Sequence, residues 1–169
     1  MKRKIMLILI ALVTLCLAVS AVSAWEFSFG SSSSSSSSVS TDGDVATVDY
    51  KDGVLKINDK QFKIPNGYTQ DNNFTQTGVD ANMSTIQGAK MTRAAFDSGN
   101  NTIIVKYVYV PNNEITYNAS ANGETKTING HTGAFKTQND TTVVFTYGDN
   151  GKLIEINAPD EATLNEILK

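Results

Sequence analysis

The stretch Ile103–Val110 reads IIVKYVYV, and its reading decides the fold. On a strand, Ile103, Val105, Tyr107 and Tyr109 fall on one face. Ile104, Val108 and Val110, with Lys106, fall on the other. Apolar residues on both faces mark a central strand, covered from two sides. Just upstream, DSGNN is a turn that lets residues 89–96 pair back as a strand. Within 82–96, Met83, Ile86 and Met91 also have a loose helical spacing.

Further out, turn signals separate runs of strand type. Asn-Gly occurs at 66–67, 122–123, 129–130 and 150–151, and Asp-Gly at 42–43 and 52–53. These pairs tolerate the positive φ of tight turns. Thr142–Tyr147 and Lys152–Asn157 flank GDNG and read as the clearest hairpin. Asp44–Tyr50 and Val54–Asn58 read as another, and Gln61–Ile64 as a short strand stopped by Pro65. Glu114–Ser120 alternates Ile115, Tyr117 and Ala119 against polar residues and predicts a strand, followed by Thr125–Ile128 and Gly133–Thr137. At the C-terminus, Asp160 is placed to cap EATLNEILK, whose Leu164, Ile167 and Leu168 form one apolar stripe. The expected fold is α+β: a single twisted antiparallel β-sheet with a short C-terminal helix packed on one face.

That β-rich domain is expected over 42–169, and two segments precede it. Lys2, Arg3 and Lys4 open the chain, and Ile5–Ala24 carries no charge. Val22 and Ala24 are small enough for a signal peptidase site with cleavage between Ala24 and Trp25. Residues 1–24 therefore read as a signal peptide. The alternative is an uncleaved N-terminal anchor, because about twenty apolar residues can span a bilayer. Trp25, Phe27 and Phe29 would then sit at the outer interface. Residues 25–41 form a flexible serine-rich linker, with eight consecutive serines at Ser31–Ser38. Either reading places the domain outside the cell membrane, extracellular or at the cell surface, with the membrane engaged only through an uncleaved leader.

Cys16, the single cysteine, lies in the leader, so a cleaved chain has no disulfide and no thiol chemistry. Without Lys2, Arg3 and Lys4, eleven basic residues face seventeen acidic ones, a net charge of −6. That balance argues against a nucleic-acid partner, which needs a basic face.

Catalytic signatures are weak. His131 is the only histidine, and it lies in INGHTGAF, where an exposed turn histidine is expected. No G-x-S-x-G elbow accompanies it. Asp42, Asp44, Asp49 and Asp52 do not match a calcium loop and read as turn formers. GDNGK at 148–152 departs from the phosphate-loop pattern. No catalytic, cofactor-binding or metal-ligating residue is assigned, and no cofactor is expected. Tyr107, Tyr109, Tyr117, Phe135, Phe145 and Tyr147 are expected to face the core. The acceptor pattern N-x-[ST] occurs at Asn73, Asn82, Asn100, Asn118 and Asn139, which are the candidate N-glycosylation sites.

IPNGY, TINGHTGAF, VVFTYGDNGKLIEINAP and EATLNEIL, in that order, resemble a set of small exported proteins of unknown function from methanogenic archaea. The leader and serine-rich stretch are similar to the N-termini of that family. IPNGY is also similar to the start of PsbP-like α/β domains. The resemblance implies an exported or cell-surface archaeal protein and brings no catalytic residue. The function expected is an exported, non-enzymatic binding or structural module, with an extracellular or cell-wall partner. The alternative is a secreted ligand-binding domain or hydrolase using a carboxylate and tyrosine cleft.

Overall fold

The computed structural model describes residues 45–138 and 141–169. The leader, the Ala24–Trp25 cleavage point, the serine-rich stretch and Asn139 lie outside the described residues. The described chain runs β1 (Val48–Lys51), β2 (Val54–Ile57), β3 (Lys60–Lys63), β4 (Thr69–Asp80), β5 (Lys90–Ser98), β6 (Asn101–Tyr109), β7 (Glu124–Ile128), β8 (His131–Gln138), β9 (Thr142–Asp149), β10 (Lys152–Ala158) and a helix α1 (Glu161–Ile167).

The single-sheet α+β expectation is overturned. The described chain is mostly β, in two antiparallel sheets. One has three strands, β1-β2-β3, and the other seven, β4-β5-β6-β10-β9-β8-β7. The reason is one of coverage. Seven strands spaced about 4.8 Å apart make a face roughly 30 Å wide. A helix of seven residues is only about 10 Å long. Helix α1 packs against β3, β9 and β10 and leaves the rest of the face to a second layer. The small sheet supplies it, burying Leu55, Ile57, Phe62 and Ile64 in the same core as α1's Leu164 and Ile167.

Strand β6 sits inside the large sheet between β5 and β10, as its two apolar faces require. Its Val105 lies opposite Ala94 of β5 and Ile156 of β10, and Ile156 lies opposite Phe145 of β9. Ile103, Tyr107 and Tyr109 extend that core face along the strand. Thr92 and Tyr109 also tie down the start of the domain. The Thr92 hydroxyl donates to the Ala46 carbonyl at 3.1 Å, and the Ala46 N–H donates to the Tyr109 hydroxyl at 3.3 Å.

The opposite face of the large sheet is polar at its centre. Arg93, Lys106 and Glu155 stand side by side on β5, β6 and β10. Tyr117, expected in the core, lies on this face instead: its Cβ sits 3.2 Å from where a side chain on Gly148 of β9 would begin. The segment Glu114–Ser120 is not a strand. Asn112 has φ +59°, which turns the chain after β6. The Ile115 N–H then bonds the Gly151 carbonyl, and Ala119–Ala121 form a 3-10 turn.

Candidate functional site

The clearest gathering of titratable side chains is a cleft of about 340 Å³ between the β2–β3 hairpin and one end of the large sheet. Three turns build it. Asn58 takes φ +54° and brings Asp59 and Lys60 to the rim. Asn129 and Gly130, both at positive φ, close the β7–β8 hairpin so that Ile128 pairs with His131. Asn150 and Gly151 do the same for β9 and β10, which places Asp149 at the edge. Phe62 and the C-terminal Leu168 give the cleft its apolar wall.

Lys60 holds the carboxylates together. Its Nζ lies 2.7 Å from Asp149 Oδ2 and 3.0 Å from Asp59 Oδ2, with the side chain only 13% exposed. Burial pulls the ammonium's pKa down, but hydrogen bonds and charge from Asp149 and Asp59 outweigh it, so it lies above the ordinary lysine value. Lys60 therefore stays protonated and is not the neutral amine that covalent chemistry needs.

His131 is not the exposed turn residue its sequence context suggests. It is half-buried, the first residue of β8, and its ring lies 4.4 Å from that of Tyr147, tilted by 38°. The Tyr147 ring continues to Phe145 at 5.5 Å in the core. Burial, then the charge of Asp149, raises the Tyr147 phenol well above its usual pKa. The cleft thus presents two carboxylates bridged by one ammonium, a protonated phenol and the His131 ring. Sequence reasoning missed this set because it depends on register. Gly133 pairs with Tyr147, which brings the start of β8 beside the end of β9. Among the described residues, no group of three or more His, Cys, Asp or Glu is arranged to hold a metal ion.

The candidate glycosylation sites are not brought together. Asn73 is exposed on edge strand β4, and Asn100 is exposed in the β5–β6 turn. Asn82 is exposed just after β4, at φ +49°. Asn118 is exposed too, but its carboxamide oxygen accepts from the Ser120 N–H at 3.1 Å and the Ser120 hydroxyl at 2.8 Å. No described helix is long and apolar enough to cross a membrane. No family model matches the chain, and no curated protein or solved structure matches it either.

Proposed function

We propose that this chain is an exported module at the cell surface that binds or scaffolds and does not catalyse. One observation carries the reading: in the cleft where titratable groups meet, the lysine and the two carboxylates are paired with one another and the phenol is buried. Lys60 bridges Asp59 and Asp149, and the Tyr147 phenol is buried against His131 and Phe145. A hydrolytic site needs a base free to take a proton and a nucleophile beside it. The leader, the serine-rich stretch and the resemblance to small exported archaeal proteins support export to the outside of the cell. The exposed sequons are consistent with glycosylation there. The partner proposed is extracellular or in the cell wall.

The test is the intact mass of the protein from its producing cells, taken separately from medium and membranes. A mass beginning at Trp25 in the medium is the expected result. A mass retaining the leader in the membrane fraction supports tethered display. An unprocessed chain in the cytoplasm overturns export.

A second reading, a hydrolase, is favoured by the meeting of Asp59, Asp149, Tyr147 and His131 in one cleft. Turnover of chromogenic esters or glycosides that disappears in both Asp149→Asn and His131→Ala would replace the first reading with this one.

A further inference from the structure

The far end of the large sheet carries a second depression, of about 270 Å³, on the face away from the small sheet. Register explains its make-up. Asn157 of β10 lies opposite Ile104 of β6 and Val144 of β9, so Thr102 and Ile104 of β6, Thr142 of β9 and Asn157 share one face. The β5–β6 turn adds Asn100 and Asn101, and Pro159 follows β10. All eight lining residues are uncharged, and six of them are asparagine or threonine.

We propose that this depression binds a neutral saccharide, in cooperation with the exported binding role on which the inference rests. Carboxamides and hydroxyls each both donate and accept hydrogen bonds, as do the hydroxyls of a sugar. Ile104 and Pro159 supply apolar surface for the C–H face of a ring. No lining residue is charged, and the Asp97 carboxylate, which accepts from the Thr102 hydroxyl at 2.7 Å, disfavours an anion there. Its volume lies just below the lower limit of drug-sized ligand pockets, about 300 Å³, which suits one or two rings and not a length of peptide.

A second, independent observation points the same way. The Asn157 carboxamide oxygen is buried and has no hydrogen-bond partner in the protein. Such an orphan acceptor costs about 1–3 kcal/mol and is uncommon in native structures. A turn of the half-buried Asn157 side chain, which lines the depression, would bring it to a ligand hydroxyl. The sugar has two sources, a free cell-wall saccharide or a glycan on this chain's own Asn100, whose acceptor sequence Asn100-Asn101-Thr102 forms the rim.

The test is a titration of the isotope-labelled secreted protein, made in a host without N-glycosylation, with methyl glycosides of glucose, mannose, galactose and N-acetylglucosamine. Asn and Thr signals are followed by NMR. Saturable shifts at Asn157, Thr102 and Asn100 are expected. Thr142→Val, a near-isosteric change on the lining, should weaken binding about fivefold, the loss of roughly one hydrogen bond. Asp149→Asn in the charged cleft should leave binding unchanged. Protein from the native host separates the two sources. If its added-glycoside response appears only after Asn100→Gln, the ligand is the chain's own glycan; an equal response with Asn100 intact means a free saccharide. Absence of saturable shifts, shifts indifferent to Thr142→Val, or a response to peptides alone overturns the proposal. The export reading is decided separately, by the intact mass, so an exported chain that ignores every glycoside loses only this inference.

Discussion

Lys106 is the one charged residue in IIVKYVYV, and it is 3% exposed. Its alternation position sends it to the polar face, where Glu155 stands directly opposite on β10. The Nζ to Oε1 distance is 2.5 Å, with the lysine side chain 4% exposed and the glutamate 18%. The two charges are desolvated together, so the pair adds little over apolar residues of the same shape, while removing one partner strands the other. Lys106→Met should therefore cost about 3–5 kcal/mol. The double variant Lys106→Met, Glu155→Leu should regain most of that loss. Urea unfolding of the four proteins in the cycle measures it, and additive losses would show that the pair is not the reason for the lysine. The sequence reveals that a lysine lies on the second face of a central strand. It does not reveal Glu155, because the two are brought together by a pairing between strands 49 residues apart.

At the scale of elements, legibility followed local chemistry. Hairpins closed by Asn-Gly, Asp-Gly or DSGNN were readable, because their turn residues and their apolar alternation agree. Strand β4 gives no strand signal in the sequence, though it is the longest described, at 12 residues. TQDNNFTQTGVD is mostly amide and hydroxyl residues, with low strand propensity and no buried position. It is held as an edge strand by pairing with β5, across two register shifts. Glu114–Ser120 errs the other way: its alternation is real, but Asn112 turns the chain after β6 and the segment runs over the polar face of the large sheet, where Tyr117 lies against Gly148. The two-sheet division was also out of reach, since nothing local distinguishes a hairpin that joins a sheet from one that packs on it. Helix α1 is legible from its cap. Asp160 Oδ1 accepts from the Thr163 N–H at 2.7 Å, and Leu164 and Ile167 are buried beneath. So short a helix depends on that packing and on its cap. Asp160→Ala should cost about 1 kcal/mol, roughly 4 °C in melting temperature, and Asp160→Asn should restore most of it. Equal melting of Asp160→Ala and the parent would mean that packing alone holds the helix.

The whole domain stands without a disulfide on one core between two sheets, and phenols lie in and beside that core and, with Tyr117, on the large sheet's other face. Burial raises the pKa of Tyr68, Tyr107, Tyr117 and Tyr147 above the ordinary value, assisted by nearby charges such as Asp160 at Tyr68 and Asp149 at Tyr147. Lys60 is raised as well, where its carboxylate partners outweigh burial. All five groups hold their protons more tightly in the folded chain than in the unfolded one. Below about pH 10 both states are protonated at these positions, and the stabilisation they give is fully present. Above that, the unfolded state releases protons that the folded state keeps, so the free energy of unfolding falls as pH rises through the folded pKa values. Urea midpoints should accordingly be insensitive to these groups at neutral pH and drop steeply beyond about pH 10. Tyrosinate absorbance should lag that of free tyrosine and then rise together with unfolding. Tyr147→Phe removes a phenol that must ionise on unfolding in alkali, so it should flatten the decline. Titration of the Tyr107 and Tyr147 phenols near pH 10 in a chain that stays folded would show that the core admits water, and would refute the dry packing of the two sheets from which the prediction follows.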